Sequence, residues 1–395
     1  MKKMTYMLFI VPFIWSCGTQ KSGPERTIED RVEVVLNQIE PYKLRGEPSA
    51  LTLEEELSID TADDVVAELG LTDIWAINVD DAGNIYLWNS PRSTENLVYK
   101  FNSKGEFQKS FLKIGQGPDE IQSPNLPIIT SNDEFVVTDY FPGKMIYLDF
   151  EGEKIKVIAL KSPAWILYPL VGGNYFVTET QQAPNGAYTD HRMVLYNSSM
   201  EELKQLTINR EDDIRTAMEV KGTMIDRPYL LWAVSQDRIY VGDNDRREYE
   251  ILVYDFDGNL LRKVRREYPP VEVTDEYKES VLAPYDKSPV AMVRDIAKRI
   301  VFPKYMPPYQ SLFCDDEGRL YVMTFEPDEY AESYIVDVFN PDGVFIHQTS
   351  FGNYAEWERI VASHLVIIAK NNRIYCRRRD ESGYMELVVY KMIWE

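Results

Sequence analysis

Over most of this chain the apolar residues alternate with a period of two rather than 3.6, in runs that follow short turns of Gly, Asn, Asp and Gln. Aligned on the first apolar residue after each turn (Ile85, Phe135, Tyr175, Ile239, Leu320 and Ile374), six segments match without gaps. They read "DDAGNIYLWN", "TSNDEFVVTD", "LVGGNYFVTE", "VSQDRIYVGD", "DDEGRLYVMT" and "AKNNRIYCRR". Each is a turn followed by a strand, the signature of a hairpin. Another apolar strand follows each copy, as in "LVYKFNSKG" (97–105) and "ILVYDFDG" (251–258), and a further one follows the first five. The unit is four antiparallel strands in about 40–45 residues, the period of a propeller blade. The pattern predicts an all-β chain: a six-bladed β-propeller of four-stranded antiparallel blades.

The sixth unit stops one strand short, because Glu395 ends the sequence. A ring left that way exposes a sheet edge. The segment "SALTLEEELSI" (49–59) alternates Leu51, Leu53, Leu57 and Ile59, so it is expected to close the last blade from the N-terminal side. The propeller then occupies 49–395, and residues 28–45 read as a short helix and spacer within 17–48. Between blades four and five an insert, 267–308, interrupts the period. Thr274 before Asp275 and Glu276 is one helix start and Ser288-Pro289 another, so two helices and a Pro-rich return are expected. A connection this long in a compact domain is a candidate lid.

Composition adds mass and charge to this outline. The chain is 44% hydrophobic and 12% aromatic, enough for a large core, and its formal net charge is −21. Such acidity repels phosphate backbones and argues against a nucleic-acid partner, although it also serves plain solubility. Residues 1–16 form an address: Lys2 and Lys3, then the apolar "MTYMLFIVPFI" (4–14), too short to span a bilayer. The segment ends "FIWSC", and Cys17 is followed by "GTQKSGPE". This resembles a bacterial lipoprotein signal with Cys17 as the lipidated residue, and a simple secretory signal is the alternative. Acyl chains on Cys17 would make the membrane a partner. Cys314 and Cys376 sit in apolar strands without CxxC spacing, and no cofactor is implied.

The lipoprotein-like start, the "DDxGxxY" turns and "KIGQGPDEIQSPN" (113–125) together resemble the NHL-like six-bladed propeller lipoproteins of Bacteroides-type bacteria. The last stretch is similar to a Gly-rich "GxGPGEF" linker, from which Asp119 and Ile121 depart. The resemblance implies a lipid-anchored envelope protein, periplasm-facing or on the cell surface. Its enzymatic cousins include lactonases and a peptide-processing lyase, and fold alone does not choose among them.

Strand direction places two rings of residues at one channel mouth. Trp75, Asn125, Trp165, Tyr229, Gln310 and His364 stand where the inner strands begin. Asn89, Asp139, Glu179, Asp243, Thr324 and Arg378 stand where the second strands end. The insert emerges on the same face. Trp75, Asn125, Trp165, Tyr229, His364, Asp139, Glu179 and Asp243 are therefore the candidate ligand contacts, with aromatic faces for sugar or side-chain surface and polar groups for orientation. Aromatics here also pack between blades, and strand-end acids are also simply solvated.

No HExxH, GxSxG or P-loop pattern occurs. Asn125, Asp139, Glu179 and Asp243 supply the residue types that calcium-dependent lactonases of this fold use. Arg377-Arg378-Arg379 would grip a carboxylate or phosphate, or pair with neighbouring acids. Two functions follow: an anchored propeller binding a glycan, peptide or protein, or a metal-assisted hydrolase in the same channel.

Overall fold

The second strand of blade one, Ile85–Trp88, is buried along its whole length. Ile85 and Leu87 pack against Tyr375 and Val389 of blade six, while Tyr86 and Trp88 pack against Phe135 and Ile146 of blade two. Both faces of the strand are interior, so successive residues serve opposite neighbours and nearly all are apolar. The computed structural model repeats this arrangement around a closed ring. It describes residues 23–90, 96–117, 120–125, 127–130, 134–140, 143–160, 166–212, 223–224, 231–242, 248–298, 300–328, 333–350, 367–379 and 382–395.

Blades one, two, three and five are four-stranded sheets paired in sequence order. Among the described residues an apolar cluster lies between every adjacent pair of blades. The outer turns share one device. Asn102, Asp149, Asn197, Asp255 and Asn340 each accept two backbone N–H groups, two and four residues on, which fixes the turn. The turn glycine then abuts the preceding blade. A Cβ on Gly152, whose φ is +86°, would lie 2.6 Å from Phe111 of blade one. On Gly343 it would lie 2.7 Å from Val264 of blade four.

The N-terminal segment closes the ring as expected. The strand Leu51–Asp60 pairs antiparallel with Met385–Trp394 and completes blade six. Upstream, the expected helix is replaced by strands. Glu25–Glu29 and Val32–Asn37 form a hairpin whose turn, Asp30-Arg31, has φ of 51° and 71°. The second of these strands lies parallel to Leu260–Arg266, so blade four becomes a six-stranded sheet. Val34 and Val35 are fully buried there, and side-chain burial against blade four overrides the helical reading.

A polar knot ties this segment to blades four and five. Asn37 donates to the carbonyls of Arg265 (3.1 Å) and Gly343 (3.0 Å) and accepts from Phe345 N–H (2.9 Å). Arg266 pairs with Asp337 at 2.8 Å, with side chains 1% and 0% exposed, and also donates to Ile39 O at 2.8 Å. Tyr249 and Gln348 donate to the same carboxylate. Burial pushes Asp337 above the usual carboxylate range, against the pull of Arg266 and its two other donors.

Two helices occupy the insert, Asp275–Asp286 and Ala291–Ala297. The Thr274 side chain caps the first by accepting from Tyr277 N–H at 3.1 Å. The ends of the insert are zipped together, Val273 N–H to Lys304 O (3.0 Å) and Met306 N–H to Val271 O (2.8 Å).

Candidate functional site

Every inner strand begins on the face that carries the blade connections and ends in a hairpin turn on the other. Trp75 N–H donates to Trp88 O, and Asn125 N–H to Thr138 O, each at 2.7 Å. Those bonds fix both residues at the connection face. Above it, two blade connections meet: Thr223–Met224, between blades three and four, runs parallel to Ile300–Val301 of the insert. The pairing joins two connections far apart in sequence on this face.

Trp75 stands at that mouth 42% exposed, an uncommon degree of exposure for so large an indole. Asn125 is partly buried beside the first inter-blade linker. Of the residues expected at second-strand ends, Asp139 closes Phe135–Asp139, whereas Glu179 and Thr324 lie inside the longer strands Tyr175–Gln182 and Leu320–Asp328, and both acids are tied into the scaffold. Asp139 has no exposure and accepts from Ser123 N–H (2.8 Å) and Gln122 N–H (3.3 Å), with Lys144 3.3 Å away. It holds the end of "KIGQGPDEIQSPN" in place. Earlier in that stretch Gly117 N–H donates to the Glu120 carboxylate at 2.7 Å, and a Cβ on Gly115 would meet the same carboxylate at 2.0 Å. The glycines are there to let the loop wrap its own glutamate.

Glu179 accepts from Arg192 (2.6 Å) and Tyr196 OH (2.9 Å). Burial and the Glu179 carboxylate both push the Tyr196 phenol up. Asn89 and Thr324 bond backbone groups, and Gln310 donates to Thr324 O. Arg378 pairs with Glu386 and Glu55 (3.4 Å to the latter), so the arginine run reads as structural at its centre. Trp165, Tyr229, Asp243, His364 and Cys17 lie outside the described residues. Among the described residues no three His, Cys, Asp or Glu side chains cluster in a way that would hold a metal.

The hairpin-turn face explains the repeated "DD". Asp80 accepts from Asn84 N–H (2.8 Å) and Tyr86 OH (2.9 Å), and Asp315 from Arg319 N–H (2.8 Å) and Tyr321 OH (3.1 Å). The first aspartate caps its own turn and satisfies the buried tyrosine of "DDxGxxY". The second reaches between blades: Asp316 accepts from Asn371 N–H (2.9 Å), and Asp81 pairs with Lys370 (2.6 Å). Gln236 of blade four donates to Asp316 O at 3.1 Å. These contacts stitch blades four, five, six and one.

At the centre of this stitched face lies a cavity of about 670 Å³, reaching from the turns into the channel between the inner strands. Its wall includes Ile129, Tyr168, Trp232, Val234, Cys314 and Ile368. Strand direction places the two expected rings at the connection face, whereas the described cavity is at the opposite end. Strand direction says where loops gather; the size of inner-strand side chains decides where the channel stays open.

Comparison with known proteins agrees on architecture. Residues 57–228, under half of the chain, match the DUF5128 family, described as a 6-bladed beta-propeller. No curated protein matches the sequence. The crystal structure of a member of the DUF4221 family from Bacteroides vulgatus is similar over 88% of this chain and 100% of its own, with a TM-score of 0.50 and 9% identity. A gluconolactonase from Xanthomonas campestris covers 86% of this chain and 100% of its own at a TM-score of 0.40 and 11% identity. An inactive virginiamycin B lyase from Staphylococcus aureus, solved with quinupristin, covers 87% and 100% at 0.38 and 11%. The chain is a six-bladed β-propeller, similar in fold to the Bacteroides vulgatus protein.

Proposed function

We propose that this protein is a lipid-anchored propeller of the bacterial cell envelope that binds a glycan, a peptide or a protein partner at its roofed mouth. The connection face carries the reading. Two blade connections pair on the face where Trp75 leaves its indole 42% exposed, and long connections on a rigid scaffold are the usual place for recognition. The anchor rests on Lys2, Lys3, the apolar 4–14 segment and Cys17, and is supported by the resemblance to NHL-like lipoproteins. Asp139 and Glu179 are engaged by Lys144 and Arg192, which supports binding over metal-assisted hydrolysis.

Two measurements test this. Cys17→Ala will move the protein from the membrane to the soluble fraction, and unchanged membrane partitioning overturns the anchor. A thermal-shift screen against glycans and peptides will find a ligand whose affinity falls about tenfold in Trp75→Ala with the melting temperature of the free protein kept, as expected for loss of one aromatic contact. A ligand bound equally by the variant overturns the roofed mouth as its site.

A further inference from the structure

We propose that the cavity on the hairpin-turn face is a second binding site, for an apolar ligand carrying a primary ammonium group, such as the N-terminus of an apolar peptide. The site is independent of the roofed mouth, because different residues at the opposite end of the channel form it.

Size comes first. A volume of about 670 Å³ lies within the range of pockets that enclose a small organic ligand (about 300–1,000 Å³). The wall is chemically divided. Deep residues are apolar and come one from each of several blades: Ile129, Pro169, Val234 and Ile368, with the Cys314 thiol among them. That cysteine is part-exposed at the cavity wall and within reach of a small reagent. Tyr168 also borders it, backed by the buried Trp232, whose ring packs edge to face on it at 6.2 Å.

The rim is charged and one-sided. Asp81 and Asp316 line it against one cation, Lys370, with Asp315 buried beside them. Lys370 is held by Asp81 at 2.6 Å, and Asp315 is held by Arg319 at 3.0 Å. Asp316 has no such counter-charge in these contacts, since its partners are the Asn371 N–H and, through its own carbonyl, Gln236. The rim therefore keeps a net negative charge over an apolar well. A cation bound there gains from the carboxylates, while an apolar body fills the well. A carboxylate ligand would meet repulsion at the entrance, and the net charge of −21 on the whole chain adds to that preference.

Cys314 supplies a reporter inside the site, distant from the connection face. The test uses the full chain with leucyl-leucine amide, which carries an ammonium, and N-acetyl-leucyl-leucine amide, which does not. Each is titrated against modification of Cys314 by a small organomercurial, read by peptide mass. Cys314 of the free protein is expected to react, and the ammonium peptide to protect it at a concentration roughly five- to tenfold lower than the acetylated one. That preference should fall to about twofold or less in Asp316→Asn, which keeps an oxygen acceptor for Asn371 N–H. Equal protection by both peptides overturns the ammonium assignment. An inert Cys314 in the free protein, or protection by neither peptide, overturns the site itself.

Discussion

A chain lacking residues 46–60 will lose cooperative thermal unfolding near the wild-type midpoint. The deletion removes the whole outer strand of blade six, together with the Ser49 and Ala50 N–H bonds to Glu395 O. Ile59, 4% exposed, leaves the interface with blade one, and Arg373 loses its 2.6 Å partner Glu56. With a net hydrogen bond worth about 1 kcal/mol and a buried Ile about 1.5–3, the loss exceeds roughly 5 kcal/mol. That is comparable to the entire stability of many domains. Calorimetry gives the answer directly, and an unchanged midpoint would show that the ring does not depend on this strand.

Arg266→Met carries the next largest effect, a loss of about 3–5 kcal/mol in urea unfolding. The substitution leaves the Asp337 carboxylate without a cation at a position with no solvent exposure, and frees the carbonyl of Ile39. It also removes a guanidinium 4.3 Å from the Phe345 ring. Adding Asp337→Leu should restore part of the loss, because the uncompensated charge goes with it. A single variant within about 1 kcal/mol of wild type would mean that the pair contributes little, as exposed pairs do.

Particular residues show what the sequence could and could not reveal. Blade six was legible because Leu51, Leu53, Leu57 and Ile59 alternate in a segment lacking any other partner, beside a sheet one strand short. The hairpin Glu25–Asn37 was not, because its turn is Asp30-Arg31 and lacks the Asn-Gly signal that usually marks two left-handed residues. "VEVVLN" among acids also serves a helical pattern equally well. Counting along the strand places Trp75 at the start of its inner strand, and its exposure there is a property of the fold that the count does not give. Asp139 ends its strand as counted but Glu179 lies within one, and position cannot tell a carboxylate that awaits a ligand from one that holds a backbone loop or an arginine. The cavity was invisible, since inner-strand apolar residues read alike whether they fill a channel or line it.

Pairing Asp60 with Glu386, and Val34 with Lys263, sets an order of events during synthesis. A ribosome adds about 5–20 residues per second, so each N-terminal strand exists for tens of seconds before its partner has been made. Joining such distant segments is slow in its own right, because loop-closure entropy is lost before the contact repays it. Blades one to three find all their strands within residues 76–212, while Glu25–Glu29, Val32–Asn37 and Leu51–Asp60 wait with open edges. Completion is held back to the final residues, and until then the nascent chain depends on whatever keeps those edges from pairing with a stranger.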